Sequence, residues 1–187
     1  MPTTSVQKLA RVLKVLVTIT FVCNLIALVL VPFFVEQKFR LDIEGIVHTF
    51  QYDWDDGLGL FFNVPYYQVW QQPYTAVLCV FLWICGIFTA FILWQARRVL
   101  DTILAGNPFQ NANGVSLRRA AVCCFLISAA ALVRVLWGFW YYASILPLLT
   151  YNALFVPIFF MGGLLCLVMS ALFRQAAELK AENDLTI

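Results

Sequence analysis

The chain has 187 residues, of which 63% are hydrophobic and 12% are charged, and its formal net charge is +2. Soluble domains carry about 45–50% apolar and about 25% charged residues, so this composition excludes a water-soluble globule. The aromatic content of 16% excludes a disordered chain, and a net charge this small gives no indication of a nucleic-acid binder.

Four apolar runs predict four transmembrane helices. Each run holds at least about 18–20 residues with few charges, the length that crosses about 30 Å of hydrocarbon. The predicted spans are residues 15–35, 74–95, 120–142 and 151–173. We therefore expect an all-α membrane protein, a four-helix transmembrane bundle that forms a single domain over residues 1–187.

Three further predictions concern the first span, the arginine inside the third span and the turn before the fourth. The first span is expected to be retained, because its apolar run of about 21 residues exceeds the 7–15 of a signal peptide and no small-x-small cleavage site follows. The third span contains Arg134, since placing that residue outside the membrane would leave a run of about 14 residues, too short to cross. The turn between the last two spans is predicted at residues 144–152, which contain Pro147 and Asn152.

The distribution of lysine and arginine predicts the topology, because these residues favour the cytoplasmic side. Only Lys38 and Arg40 fall in the segment 36–73. The opposite side holds Lys8, Arg11, Lys14, Arg97, Arg98, Arg118, Arg119, Arg174 and Lys180. Both termini, the loop 96–119 and the tail 174–187 are therefore expected in the cytoplasm, and the segment 36–73 outside.

The outward segment is expected to form a small β-hairpin between helices 1 and 2. Residues 39–43 and 50–54 alternate apolar and polar side chains, and an Asp-Gly turn signal follows at residues 56–57. The segment is acidic, and its candidate ligand-binding residues are Asp53, Asp55 and Asp56. A calcium loop is not predicted, because the later ligands of such a loop are missing.

Arg134 is the main candidate for a ligand-binding residue within the membrane. It lies about 12 Å below the outer boundary, at a cost of about 2.5 kcal/mol or more on insertion scales. Two interpretations stay open. The guanidinium either snorkels to the aromatic belt that begins with Trp137, or faces the bundle and binds an acidic group or an anionic ligand. Trp137, three residues further on, is placed to stack on it.

The positions of the cysteines, the histidine and the acidic residues argue against several kinds of enzyme and transporter. All six cysteines fall inside predicted spans, and none belongs to a Cys-x-x-Cys pair, which argues against a thiol oxidoreductase. The single histidine, His48, lies in the outer segment, so intramembrane haem ligation and zinc proteolysis are not expected. The spans contain no Asp or Glu, the groups on which proton-coupled exporters depend. We expect no enzymatic activity, no metal and no cofactor.

Local sequence signals predict where the helices end and begin in the cytoplasmic loop. Residues 95–105 continue the second span as an amphipathic helix, Gly106 is the predicted C-cap, and Asn107-Pro108 stops the helix. Asn113 or Ser116 is the candidate cap of the next helix.

The tail is expected to continue the fourth span as a helix through Glu182. Because the third and fourth spans are antiparallel neighbours, Arg118 and Arg119 are expected to emerge near Glu178 and Glu182 and to form ion pairs with them. The alternative is that the arginines only anchor the topology and the acids face solvent.

Two sequence elements resemble a known family. These are Gly106-Asn-Pro-Phe109, followed by Asn113 and Leu117-Arg118, and the closing segment 177–187. Together they resemble the YoaS-like domain of unknown function, an uncharacterised family of bacterial four-span membrane proteins. The resemblance implies a bacterial inner membrane. Some members are encoded beside small helix-turn-helix regulators, which implies a regulatory partner in the cytoplasm. The corresponding positions here are Asn107, Pro108, Phe109, Asn113, Leu117, Arg118, Glu178, Leu179, Glu182, Asp184 and Leu185.

Three functions remain. The first is a non-enzymatic sensory or regulatory protein, with an aromatic outer segment and a cytoplasmic motif that contacts a regulator. The second is transport, or binding of membrane lipid or an anionic small molecule, through Arg134. The third is an accessory subunit whose small residues, among them Gly86, Gly162 and Gly163, pack against another membrane protein or a second copy of the chain. None of the three involves direct contact with nucleic acid.

Overall fold

The computed structural model describes residues 5–36, 69–143 and 145–185, and within them the chain is helical apart from short connections. The long helices are α1 (Ser5–Glu36), α2 (Pro73–Leu104), α3 (Asn111–Tyr142) and α4 (Tyr151–Leu185). Each of the four is long and apolar enough to cross a membrane, which confirms an all-helical, multi-pass membrane protein. A helix of 32 residues is about 48 Å long and therefore extends beyond a hydrocarbon core of about 30 Å.

The predicted hairpin lies outside the described residues, as do Asp53, Asp55 and Asp56. The part of the chain that the structure describes contains no β-strand.

The chain divides into two compact units, Ile26–Trp83 and a larger unit formed by Met1–Leu25 with Ile84–Ile187. In the first unit, a tryptophan satisfies a carbonyl that a proline leaves without its helical donor. Pro32 lies inside α1 and has no N–H, so it cannot bond the carbonyl of Leu28 four residues earlier. The indole Nε1 of Trp83 donates to that carbonyl at 3.0 Å. The Trp83 ring lies 6.4 Å from that of Trp70, in the 3₁₀ turn Val69–Gln71.

In the larger unit, α1 and α2 are joined by polar contacts at several levels. The side-chain amide of Asn24 donates to the carbonyl of Gly86 at 2.9 Å, which satisfies a polar group inside an apolar helix. Nearer the start of α1, the Lys14 ammonium lies 2.7 Å from the carboxylate of Asp101.

Helices α3 and α4 form a hairpin in which α3 is the most buried of the four long helices. The hydroxyl of Ser128 donates to the carbonyl of Val156 at 2.8 Å, and Gly163 lies against the ring of Phe125. Small side chains at spacings of three and four residues allow the close approach. The buried positions of α3 include Ala121, Cys124, Ser128, Ala131, Val135 and Gly138.

The turn between α3 and α4 falls where the sequence predicts it, with one correction. Ala143 ends α3 in the left-handed conformation, and the 3₁₀ turn Leu146–Leu149 contains Pro147. The hydroxyl of Thr150 donates to the Pro147 carbonyl at 2.7 Å. Asn152 is not part of the turn, because α4 begins at Tyr151.

The connection between α2 and α3 confirms the predicted C-cap. Gly106 has φ +79°, which glycine adopts without strain. Its N–H donates to the carbonyl of Ile103, and the N–H of Asn107 donates to that of Thr102, the two bonds of a Schellman motif.

The predicted cap of the next helix is wrong. Helix α3 begins at Asn111 with Gln110 at the N-cap, and no side chain bonds there. Asn113 and Ser116 are buried inside the first turns instead. Pro108 and the Gln110 backbone already turn the chain into the helix, so Asn113 is free for a tertiary contact.

Candidate functional site

Four residues of the sequence motif make contacts where the end of α2, the connection 105–110, the start of α3 and the segment 170–180 of α4 come together: Asn107, Pro108, Phe109 and Asn113. We call this region the junction. All of it belongs to the larger unit.

Asn113 lies at the centre of the junction and is only 1% exposed. Its amide Nδ2 donates to the Pro108 carbonyl at 2.7 Å and to the Thr102 hydroxyl at 2.6 Å. The Thr102 hydroxyl in turn donates to the Val99 carbonyl at 2.7 Å. One buried side chain therefore holds the end of α2, the connection and the start of α3 in a fixed arrangement.

Three contacts attach α4 to this arrangement. The buried hydroxyl of Ser170 donates to the carbonyl of Gly114 at 2.7 Å. The rings of Phe109 and Phe173 lie 6.3 Å apart. Closer to the end of α4, the Lys180 ammonium donates to Oδ1 of Asn107 at 3.1 Å.

Gly114 is required for this close approach. A Cβ added at Gly114 would lie 2.6 Å from Cγ of Arg174 and 3.1 Å from the Ser170 carbonyl oxygen. The stem of the Arg174 side chain therefore lies across a surface that only glycine provides.

The remaining motif residues lie at the edge of the junction. Leu117 is half-buried, whereas Arg118, Glu178 and Glu182 are exposed. Leu179 is 61% exposed. Asp184 belongs to the last turn of α4.

The predicted ion pairs between the arginines of α3 and Glu178 do not form. Among the described residues, Arg118, Arg119 and Glu178 are exposed and take part in no ion pair, and the ion pair found in this unit joins Lys14 and Asp101. Neutral groups make the α3–α4 contact at this level instead, through Ser170 and Gly114.

Arg134 faces the interior of the larger unit. The residue is half-buried, and its Nη1 atom is buried. This placement favours the inward interpretation over snorkelling into lipid. Trp137 stacks on Tyr141, with ring centroids 5.0 Å apart, while its predicted stacking on Arg134 stays a prediction.

Sequence reasoning missed several residues that build the junction. Thr102, Gly114 and Ser170 are common residue types in apolar helices, and no local pattern marks them as partners. The polar residues Thr102 and Asn113, on either side of the predicted helix stop, were the one available signal. Two polar groups next to a tight turn must find partners when the turn is buried.

Residues 60–187 match the family model described as "Protein of unknown function (DUF2975)". The matched region contains α2, α3, α4 and the whole junction. The chain matches no curated protein and no solved structure. Because the match covers about two thirds of the sequence, this multi-pass membrane protein belongs to the DUF2975 family.

Proposed function

We propose that the protein is a non-enzymatic regulatory protein of a bacterial inner membrane. In this proposal the segment 36–73 faces outward and receives a signal, and the junction faces the cytoplasm and binds a small DNA-binding regulator of the helix-turn-helix type. The regulator itself, and not this chain, contacts DNA.

The observation that carries the proposal is that neutral and charged groups have separate positions at the junction. Buried neutral groups, with Asn113 at their centre, hold the three helices together. The charged groups Arg118, Arg119 and Glu178 remain exposed and take part in no ion pair among the described residues. A rigid support that presents charges outside any ion pair favours recognition of a partner with complementary charges. The reason is that a region already held rigid loses little conformational freedom on binding.

Two adjacent arginines favour a partner surface that carries carboxylates. The guanidinium group is planar and offers paired donors that match a carboxylate. The exposed Leu179 adds an apolar contact on α4. The helix-turn-helix assignment of the partner rests on the family resemblance of the motif.

Replacing Arg118 and Arg119 together with glutamine is expected to weaken binding of the regulator at least about ten-fold, because both paired-donor contacts are lost. The measurement is the affinity of any helix-turn-helix regulator encoded near this gene for the full chain in lipid nanodiscs. Transcription of the regulator's targets is compared in parallel with that of a deletion strain.

The matched control is Arg97→Gln with Arg98→Gln, which removes two positive charges from α2 and is expected to change regulator binding less than about two-fold. A carboxyl-terminal reporter fusion checks the topology of each variant. If the wild-type protein does not bind the regulator, and deletion leaves transcription unchanged, the regulatory proposal is wrong.

A second candidate function is binding of a small anion inside the membrane, supported by the inward placement of Arg134, whose Nη1 atom is buried. At about 100 times its dissociation constant, a ligand stabilises its protein by about 2.7 kcal/mol. Inorganic phosphate or acetate is therefore expected to raise the thermal unfolding midpoint of the wild type by a few degrees, and not that of Arg134→Ala. Arg134→Lys serves as the charge-retaining control. Equal shifts in the wild type and Arg134→Ala would remove Arg134 from this role.

A further inference from the structure

A second group of basic residues lies where α1 and α2 pack against each other in the larger unit. On α2, Trp94, Arg97, Arg98 and Asp101 fall within a strip about 100° wide, because each residue advances the helix by about 100°. This strip meets α1 at two points: the Arg97 guanidinium lies 5.8 Å from the centroid of the Phe21 ring, and Asp101 pairs with Lys14. We call Arg11, Lys14, Arg97 and Arg98 the basic surface.

Aromatic rings hold the two arginines of the basic surface. Arg97 lies over Phe21, and the Arg98 guanidinium lies 5.9 Å from the centroid of the Trp94 ring. A guanidinium over a ring face keeps its N–H donors at its edge, where they are available to a second group. The two side chains are thereby ordered before any ligand binds, and the loss of freedom on binding is reduced.

Asp101, the acidic residue of this region, does not neutralise the positive charge of the basic surface. Asp101 is already paired with Lys14, with 2.7 Å between nitrogen and oxygen. At this end, the described parts of α1 and α2 carry five basic residues and one acidic residue, Asp101. The basic residues are Lys8, Arg11, Lys14, Arg97 and Arg98. The corresponding end of α3 and α4 carries four basic residues (Arg118, Arg119, Arg174 and Lys180) and three acidic ones (Glu178, Glu182 and Asp184).

The depth of the basic surface matches that of lipid phosphates. Trp94 is 48% exposed and lies within the last turns of the apolar run, the position that tryptophan takes at a membrane interface. Arg97 and Arg98 follow it by about one helical turn, or about 5 Å. Their guanidinium groups are therefore level with the headgroups of the leaflet.

We propose that the basic surface of α1 and α2 binds the phosphate headgroup of an anionic phospholipid. Arg97 and Arg98 donate paired hydrogen bonds to the phosphate oxygens, and Arg11 adds attraction, while Lys14 stays paired with Asp101. Trp94 contacts the upper acyl chains. This site is independent of the regulator-binding function, and either proposal can fail without the other.

The test uses the full chain in a neutral detergent, with phosphatidylglycerol and phosphatidylcholine as probes and bound lipid measured by native mass spectrometry. The wild type is expected to bind phosphatidylglycerol at least about ten-fold more tightly than phosphatidylcholine. Each Lys or Arg near an anionic membrane surface contributes about a five-fold increase in affinity. Arg97→Gln with Arg98→Gln is therefore expected to weaken phosphatidylglycerol binding about 25-fold.

Two further variants make the result specific. Arg118→Gln with Arg119→Gln removes the same charge from α3 and is expected to change phosphatidylglycerol binding less than about three-fold. Arg97→Lys with Arg98→Lys keeps the charge, and hence the topology signal, and is expected to weaken binding about five-fold because the planar donor pairs are lost. An equal loss in the α3 variant, no loss in the lysine variant, or no preference for phosphatidylglycerol in the wild type would each overturn the proposal.

Discussion

Replacing Asn113 with alanine is expected to lower the free energy of unfolding by about 2–4 kcal/mol, the largest effect of any single substitution at the junction. The change removes the two hydrogen bonds that the buried amide donates to the Pro108 carbonyl and the Thr102 hydroxyl, and it opens a small cavity. The Pro108 carbonyl then keeps only the longer bond from the Gln110 N–H, at 3.2 Å. Unfolding of the detergent-solubilised protein, followed by circular dichroism, measures the loss.

Asn111 provides the matched control for this experiment. It lies two residues earlier in the same helix but is exposed, and its side chain takes part in no hydrogen bond in the described part of the chain. Asn111→Ala is therefore expected to change stability by less than about 0.5 kcal/mol. Equal stabilities for Asn111→Ala and Asn113→Ala would show that the junction does not depend on the buried amide. Under the regulatory proposal, Asn113→Ala also weakens regulator binding although both exposed arginines are kept.

Two adjacent glycines of α4 are expected to respond in opposite ways to alanine. A Cβ at Gly163 would lie 2.8–3.0 Å from three atoms of the Phe125 ring, and that ring is itself packed edge-on against Phe160 at 5.6 Å. Gly163→Ala is therefore expected to cost about 1–3 kcal/mol, the usual penalty of overpacking. At Gly162 a Cβ meets nothing within 4 Å, so Gly162→Ala is expected to be neutral or to stabilise the helix by up to about 1 kcal/mol.

Thermal unfolding of both variants measures the difference. A third variant tests its cause. If the clash with the ring is responsible, Phe125→Ala and Gly163→Ala together destabilise the protein less than the sum of the two single changes, because shortening Phe125 makes room for the new methyl group. Additive effects, or a Gly162→Ala variant as unstable as Gly163→Ala, would contradict the contact between α3 and α4.

The contact at Gly163 also bears on the hypothesis of an accessory subunit. The sequence groups Gly162 and Gly163 as small residues that could meet another membrane protein. In the structure Gly163 packs against Phe125 of the same chain, whereas Gly162 is open. Only one of the two glycines therefore remains for a contact with another protein or a second copy.

Composition and local backbone chemistry were enough to predict the helices and the end of α2. Four apolar runs predicted four helices, since a backbone in lipid must satisfy its own hydrogen bonds. Gly106 predicted the end of α2, because the left-handed residue of a Schellman motif favours glycine.

The partners of the polar groups could be seen only once the helices were packed together. The structure shows that Asn113 is a buried link rather than a helix cap, that Arg118 and Glu178 stay exposed, and that the Nη1 atom of Arg134 is buried. In a soluble helix the alternation of polar and apolar residues marks the buried face, whereas a helix in lipid is apolar on every side. Its packing face is set by small residues and single hydrogen bonds to distant carbonyls, and the partners of such contacts are fixed only when the helices come together.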